Sequence, residues 1–180
     1  LEGKKVLLVI TGGIAAYKSI ELIRLLQTNK AIVVTVMTKS AQQFIKPLSV
    51  AAIAGSKVYT ELFDLTAEAE MGHIELSRSA DIILVAPASA DFLSKMAQGI
   101  CDDLASTLLL ATDKPVLVAP SMNVRMWHHP ATQRNLNAIN DDGIITIGPR
   151  EGSMACGEFG LGRMSEPTEI ITFLNSYFKI

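Results

Sequence analysis

Several short turns follow apolar runs of this sequence. These turns are rich in glycine and other small residues, and in side chains that carry a hydroxyl or an amide. They are Thr11-Gly12-Gly13-Ile14, Thr38-Lys39-Ser40, Pro87-Ala88-Ser89-Ala90-Asp91 and Pro120-Ser121-Met122-Asn123. Small residues, hydroxyl groups and the backbone amides of helix starts are the groups that bind anions. The pattern therefore predicts a site for a phosphate-bearing ligand.

The first of these turns nearly matches two known nucleotide-binding motifs. Residues 12–19 resemble the phosphate loop G-x-x-x-x-G-K-[ST], but Tyr17 stands where that loop has its second glycine. The dinucleotide motif G-x-G-x-x-G also fails, because Ile14 and Tyr17 replace its second and third glycines. Taken alone, this segment could equally be a glycine turn that packs a strand against a helix.

A thiol, an amide and an imidazole could take part in acid–base or carboxylate chemistry near such a ligand. Cys156 lies in a glycine-rich segment, residues 148–164, which we interpret as a mobile flap that could carry the thiol over a substrate. Asn123 could donate to a substrate carboxylate, or cap a helix, and the two roles are compatible. His73 begins an apparent helix, where a lone histidine is more often structural than catalytic.

The remaining cysteine and histidines are interpreted as non-functional. Cys101 precedes two aspartates, which disfavour a thiolate, so we expect a half-buried filler. His128 and His129 are adjacent and would point in different directions on a helix, so we expect surface residues. The two cysteines form no CxxC pair, and no metal site or disulfide framework is predicted.

Strands and helices alternate along the chain. Strands are predicted at residues 6–10, 32–37, 81–86, 115–119 and 143–147. A helix follows the first glycine turn, and a closing helix over residues 166–178 is predicted with Ser165 as its N-cap and Pro167 in its first turn. Residues 47–72 and 148–164 show no regular pattern. This alternation predicts one α/β domain over residues 1–180, a doubly wound, mainly parallel sheet of the Rossmann-like type.

The composition limits the classes of function. The chain has 180 residues, 49% of them hydrophobic and 19% charged, which excludes a disordered protein. Its formal charge of -2 gives no field for non-specific nucleic-acid binding. No apolar run approaches the roughly 18 residues that span a bilayer, and no signal peptide is visible, so we expect a cytoplasmic protein without a membrane partner. The high apolar fraction leaves surface for a partner subunit.

Five motifs occur together in one order. They are Thr11 to Lys18, His73-Ile74-Glu75-Leu76, Ala86 to Asp91, Ala119 to Asn123, and Ala155-Cys156-Gly157 through Gly162-Arg163-Met164. In this the chain resembles the homo-oligomeric flavin-containing cysteine decarboxylases, most closely the bacterial branch that acts on 4'-phosphopantothenoylcysteine in coenzyme A biosynthesis. The resemblance covers nearly the whole chain and implies the cofactor FMN.

The resemblance also implies a reaction and its residues. FMN would oxidise the cysteine side chain to a thioaldehyde, which accepts the electrons as carbon dioxide leaves, and the resulting enethiol would then be reduced to 4'-phosphopantetheine. His73 would act in oxidation and decarboxylation, Asn123 would hold the carboxylate and Cys156 would supply the proton for reduction. Met122 and Ala155 would also contact substrate. The implied flavin-binding residues are Gly13, Ile14, Ala15, Thr38, Ser40, Ser89, Ala90, Asp91, Phe92 and Ser121.

The motifs depart from the family pattern in two places. Asp91-Phe92 replaces the Asn-Thr of the family motif Pro-Ala-Ser-Ala-Asn-Thr, and Ser121 replaces an alanine. An acidic Asp91 could change which flavin ring group receives a hydrogen bond. Family members form trimers or dodecamers, and bacterial ones are often fused to a phosphopantothenoylcysteine synthetase domain. Because this chain ends after one more helix, a stand-alone form or an excised domain is implied, with a separate synthetase as a candidate partner.

Other functions fit some of the same residues. A peptidyl-cysteine decarboxylase shares the motifs and differs in its substrate, a peptide that ends in cysteine. A flavin prenyltransferase shares this kind of fold, but the flap and His73 argue against it. A non-catalytic flavin-binding regulatory subunit is a third reading, which the absence of an acidic tail disfavours. A nucleotide-binding switch would rest on the incomplete phosphate loop alone.

Overall fold

A parallel sheet forms the centre of the protein. The computed structural model describes residues 1–62 and 72–179, apart from the side chain of His73. The strands of the sheet are β1 (Lys5–Ile10), β2 (Ile32–Met37), β3 (Val58–Tyr59), β4 (Ile82–Ala88), β5 (Val116–Pro120) and β6 (Ile145–Thr146). Within these residues the strand order is β3-β2-β1-β4-β5-β6, and all neighbouring strands are parallel.

Helices cover both faces of the sheet. They are α1 (Lys18–Thr28), α2 (Pro47–Ala54), α3 (His73–Arg78), α4 (Ala90–Gln98), α5 (Leu104–Ala111), α6 (Val124–His128), α7 (Pro130–Asp141) and α8 (Pro167–Tyr177). Side chains alternate along β1, so Leu8 packs with α1, α2 and α8 while Leu7 packs with α3, α4, α5 and α7. The central strands β1, β4 and β5 are thus buried on both faces, which explains their nearly continuous apolar sequences.

The predicted fold class is confirmed, and the local predictions differ at several places. The segment 47–72 is not wholly irregular, because it contains α2 and β3, while residues 63–71 lie outside the described part. The helix α2 is apolar on most sides and has no amphipathic pattern, so periodicity missed it. Its local signals were Pro47 at the first position and Gly55, with a φ of 66°, at the C-cap.

Two residue-level expectations were wrong. The N-cap of α8 is Glu166 and not Ser165: the Glu166 amide donates to Glu169 Oε2 over 2.9 Å, while Ser165 is buried one residue earlier. Cys101 is exposed rather than half-buried. It follows Gly99, which ends α4 in a left-handed conformation, so the chain has already left the core at that point. His128 and His129 are exposed, as expected.

The glycine-rich segment forms an antiparallel hairpin of β7 (Arg150–Ser153) and β8 (Phe159–Arg163). The hairpin lies against the turn that follows β5, where the Met122 amide donates to the Gly162 carbonyl over 2.9 Å. A Cβ atom at Gly162, whose φ is 141°, would overlap the Met122 carbonyl oxygen. This close approach explains why residue 162 is a glycine: only a residue without a side chain lets the two backbones come so close.

None of the helices within residues 1–62 and 72–179 combines the length and apolar character needed to cross a membrane.

Candidate functional site

The turns after β1 and β4 are joined by one buried hydroxyl group. Thr11 Oγ1 donates to the Pro87 carbonyl over 2.7 Å and accepts from the Ser89 amide over 2.9 Å, and Thr11 is 1% exposed. The strand order reverses between β1 and β4, and open parallel sheets bind ligands at the carboxyl ends of the strands where this happens. Thr11 therefore fixes the two turns that border the expected ligand site.

A pocket of about 230 Å³ lies at these strand ends, and we call it the hydroxyl pocket. Its lining includes Thr11, Gly12, Thr38, Lys39, Ser40, Ser89, Asp91, Phe92, Lys95, Asp102 and Asp103. Thr38 Oγ1 and Ser89 Oγ each accept an amide from the following helical turn, from Ala41 and Phe92. Neither hydroxyl donates to another group within the described residues, so both hydroxyl hydrogens can donate to a ligand.

Not all of the predicted flavin-binding residues offer a polar side chain to this pocket. Phe92 is 1% exposed and belongs to the hydrophobic core, so it contributes only to the wall. Ala90 is the first residue of α4 and lines neither this pocket nor the cavity described below. Asp91 is largely exposed and lies 3.7 Å from Lys95 Nζ, one helical turn along α4.

Lys95 is a cation at the hydroxyl pocket that the sequence reading did not single out. Its Nζ lies 3.1 Å from Asp102 Oδ1. Burial alone lowers the pKa of Lys95, but the hydrogen bond to Asp102 and the charge of Asp91 outweigh it, so the pKa lies above its usual 10.5. The amine stays protonated at neutral pH and balances the two carboxylates.

A second cavity, of about 440 Å³, lies between the turn after β1, the turn after β5 and the hairpin. We call it the hairpin cavity. The predicted residues that line it are Gly13, Ile14, Ala15, Ser121, Met122, Asn123, Ala155 and Cys156. Gly12 lines the hydroxyl pocket and Gly13 the hairpin cavity, so the two spaces meet at adjacent residues of one turn. One elongated ligand could contact both.

The base of the hairpin is anchored to α1 and α8 by charge. Lys18, which is 7% exposed, donates to Glu166 Oε1 over 2.8 Å and to the Met164 carbonyl over 3.3 Å. Arg163 Nη2 lies 3.4 Å from the same Glu166 oxygen. The hydrogen bond from Lys18 is the main cause that holds the pKa of the Glu166 carboxyl below its usual 4.5, against the opposing effect of burial. Lys18, the lysine of the incomplete phosphate loop, thus has a structural partner.

The mouth of the hairpin cavity carries Asn123 and Cys156. Asn123 is the N-cap of α6: its Oδ1 accepts from the Met126 amide over 2.9 Å, which confirms the capping role. Its Nδ2 donates to Glu158 Oε2 over 3.1 Å. Cys156 is exposed at the tip of the hairpin, with its Sγ 3.6 Å from the same Glu158 oxygen. The structure therefore brings the predicted amide and thiol together.

Two further residues bear on this site, one predicted from the sequence and one not. His73 begins α3, as expected, but its side chain lies outside the described part of the chain. Glu158 was missed by the sequence reading, although it contacts both Asn123 and Cys156. Its only sequence signal is its place two residues after the cysteine, and the same hairpin carries another glutamate, the exposed Glu151.

Together these features define a class of protein. It is a doubly wound α/β protein with a hydroxyl-rich pocket at the point where strand order reverses, beside a cavity closed by a hairpin that carries a thiol. The hydroxyl groups of the smaller pocket suit a phosphate and its attached polyol, and the apolar and backbone walls of the larger cavity suit a planar ring system.

The comparisons with known proteins agree with that class. The chain matches the Flavoprotein family model over residues 1–179 and belongs to that family. It is 51% identical over 179 residues to the coenzyme A biosynthesis bifunctional protein CoaBC of Haemophilus influenzae, covering 99% of this chain and 45% of that protein. The chain thus spans less than half the length of this curated relative.

Two solved structures share the fold. One is a PPC decarboxylase with a cysteine-to-serine mutation, complexed with pantothenoylaminoethenethiol; it is 36% identical, has a TM-score of 0.90, and the match covers 99% of this chain and 100% of that one. The other is the FMN-binding protein AtHal3, at 36% identity and a TM-score of 0.86, with coverage of 99% and 98%. The resemblance inferred from the motifs is confirmed at the level of the family and the fold.

Proposed function

We propose that this chain is a phosphopantothenoylcysteine decarboxylase, a carboxy-lyase that converts 4'-phosphopantothenoylcysteine to 4'-phosphopantetheine with FMN. The observation that carries the proposal is the convergence of Asn123 and Cys156 at the mouth of the hairpin cavity. The named activities of the similar proteins support it, because their matches cover nearly all of this chain. We also propose the cytoplasm as its location.

The residues present fit FMN. Thr38 and Ser89 present oriented hydroxyl groups to the hydroxyl pocket, and Ser40 adds a third at its rim. A Cβ atom at Gly12 would lie 2.6 Å from the Ser40 Cβ, so the turn can pass this close to Ser40 only because Gly12 has no side chain. We assign the phosphate and ribityl groups to the hydroxyl pocket, and the flavin ring to the walls that Gly13, Ile14, Ala15 and Ser121 provide.

The reaction requires an electron sink, because a simple amino-acid carboxylate offers none for the carbanion that decarboxylation leaves. Bound FMN supplies that sink indirectly, by taking two electrons from the cysteine side chain and later returning them. Asn123 donates from Nδ2 to the carboxylate before it leaves. Cys156 then gives its thiol proton to the carbon skeleton during reduction, and Met122 and Ala155 border the substrate.

Self-association is part of the proposal. Large apolar side chains lie exposed beside the hairpin cavity: Ile14 is 62% exposed, Tyr17 60% and Phe159 69%. Such residues favour burial against a second copy of the chain, in a trimer or a dodecamer. Light scattering after size-exclusion chromatography tests this, and a monomer at micromolar concentration would contradict it. A synthetase domain, separate or fused, is the further candidate partner.

The function is tested by incubating the purified, flavin-loaded protein with phosphopantothenoylcysteine. We expect a product lighter by one carbon dioxide, detected by mass spectrometry, and a flavin absorption spectrum in the protein as isolated or after addition of FMN. A protein that takes up no FMN would contradict the cofactor. A protein that binds FMN and leaves this substrate unchanged, but decarboxylates a peptide ending in cysteine, would establish the alternative substrate class.

The role of His73 has its own test. We expect His73→Asn to retain FMN, seen as an unchanged visible spectrum, and to lose release of carbon dioxide, because no base then acts in oxidation and decarboxylation. His128→Asn, at an exposed position, is the matched control and should keep full activity. Normal carbon dioxide release by His73→Asn would remove the histidine from the mechanism.

A further inference from the structure

One carboxylate lies between the two side chains to which the proposed function assigns chemistry. Glu158 Oε2 accepts from Asn123 Nδ2 over 3.1 Å and from Cys156 Sγ over 3.6 Å. Its other oxygen, Oε1, accepts from Arg125 Nε over 3.2 Å. The Glu158 side chain is 34% exposed, so the group is partly shielded from water.

The contact with Asn123 fixes the amide at both ends. Its Oδ1 accepts the Met126 amide as a helix cap, so the amide cannot flip, and Glu158 takes a hydrogen from Nδ2. An amide nitrogen carries two hydrogens, and the second remains for a ligand. Since Asn123 lines the hairpin cavity, that second hydrogen can donate to a carboxylate bound there.

Arg125 balances the negative charge of Glu158. An uncompensated Glu158 would repel the carboxylate of an incoming substrate, whereas the Arg125 guanidinium balances its charge. The same ion pair sets the orientation of the carboxylate, because Oε1 faces Arg125 and Oε2 is left to face Asn123 and Cys156. Arg125 is largely exposed, so its contribution is orientation more than binding energy.

The contact with Cys156 depends on the shape of the hairpin tip. The Met154 amide donates to the Glu158 carbonyl over 2.8 Å, which closes the turn that contains Cys156. Glu158 is therefore part of the same turn as the thiol and also reaches α6. It links the position of the hairpin tip to the position of the Asn123 amide.

We propose that Glu158 is the positioning residue that aims the Asn123 amide and the Cys156 thiol at one bound substrate. This inference rests on the proposed function. Glu158 contacts the Asn123 amide and the Cys156 thiol and acts through them: it orders the two groups assigned to the substrate, so that carboxylate binding and proton delivery share one geometry.

The test compares Glu158→Ala and Glu158→Gln with Glu151→Ala, which removes an exposed carboxylate from the other strand of the same hairpin. We expect Glu158→Ala to lower kcat about tenfold to a hundredfold with a smaller change in KM, because misplaced groups slow chemistry more than binding. Glu158→Gln keeps an acceptor oxygen for Asn123, so its kcat should lie between those of Glu158→Ala and wild type. Glu151→Ala should match wild type, and all variants should keep the flavin spectrum.

Two further readouts separate positioning from a general structural role. In a Cys156→Ser background, Glu158→Ala should slow the reduction step less than it does alone, because the group on which it acts is already gone. Alkylation of flavin-loaded protein by iodoacetamide should become severalfold faster at Cys156 in Glu158→Ala, while exposed Cys101 in the same sample stays unchanged.

Specific outcomes overturn the proposal. Wild-type kcat in Glu158→Ala, fully additive losses in the double variant, or unchanged alkylation of Cys156 would each remove the positioning role. If wild-type protein binds FMN but releases no carbon dioxide, the proposed function fails and this role fails with it. If wild type is active and Glu158→Ala is equally active, the positioning role alone fails.

Discussion

The strand-end turns and the β7–β8 hairpin border the same site but are held in different ways. The turns after β1 and β4 are bound to each other by a hydroxyl that is 1% exposed and uses both its donor and its acceptor capacity. The hairpin is held at its base by the Lys18–Glu166 pair and at its tip by the contacts of Glu158, which are partly open to water. One region is fixed by the core, and the other by a few polar contacts.

The difference assigns a task to each region. Groups that bind a cofactor gain from a rigid frame, because no ordering is then needed when the ligand arrives. Groups that must admit a substrate and release a product gain from contacts weak enough to open. The turns suit the first task and the hairpin the second, so damage to each should affect different measurements.

The largest expected effect comes from the hairpin tip. We expect Cys156→Ser to slow the reduction step about a hundredfold or more, because it removes the proposed proton donor, and to leave an oxidised, decarboxylated intermediate that mass spectrometry can identify. FMN binding should stay unchanged because it depends on the turns. Cys101→Ser is the matched control. Normal turnover by Cys156→Ser would contradict the proposed role of the thiol.

The second largest effect is expected from a substitution at the contact between the hairpin and the turn after β5. Gly162→Ala places a Cβ against the Met122 carbonyl and also strains the backbone, which alone costs about 1–3 kcal/mol. Gly157→Ala, with a φ of 84° and no atom near the added Cβ, has only the backbone strain. We expect faster hydrogen exchange of the Met122 amide and a lower Tm in Gly162→Ala than in Gly157→Ala. Equal values would show that the hairpin does not depend on this close approach.

The turns themselves are tested at Thr11. Thr11→Val removes the hydroxyl and leaves the Ser89 amide without its acceptor, at a cost of about 1–3 kcal/mol in the free energy of unfolding. We also expect weaker FMN binding, measured by flavin fluorescence titration, because the turn that carries Ser89 loosens. Thr11→Ser keeps the hydroxyl and should keep the affinity. If Thr11→Val bound FMN as tightly as Thr11→Ser, the rigid-frame interpretation would be wrong.

The smallest effect is a pH dependence at the hairpin base. Because the pKa of Glu166 is held below 4.5, its ionised form stabilises the fold above that pH, and this contribution is lost as the pH falls through the lowered pKa. We expect Glu166→Gln to lower the Tm near neutral pH, with a difference from wild type that shrinks as the pH falls below 4.5 and through the lowered pKa. Glu2→Gln, in an exposed pair with Lys30, should change little. A difference that stays constant with pH would contradict this.

Elements were predicted correctly from the sequence where a local pattern of residues is compatible with only one kind of secondary structure. Apolar runs that end in glycine or hydroxyl turns predicted the strands and the sheet edge at which the hydroxyl pocket lies. The helix α2 was not predicted because its apolar residues follow no helical period. The N-cap of α8 was predicted at Ser165, whereas Glu166 provides it. Asn123 and Cys156 were predicted from the sequence and line one cavity of the candidate site, whereas Glu158 could not be told from Glu151.

The sequence by itself determined the alternation of buried strands and helices and the family, and it predicted the sheet edge at which the candidate site lies, because these follow from hydrophobic pattern, turn chemistry and ordered motifs. Only the tertiary structure decided which polar groups meet. The contacting residues Thr11 and Pro87 are 76 positions apart in the sequence. Asn123 and Glu158 are separated by 35 positions, and Lys18 and Glu166 by 148 positions. Such contacts are set by how strands order in the sheet and how the hairpin folds back, and no local pattern in the chain encodes those distances.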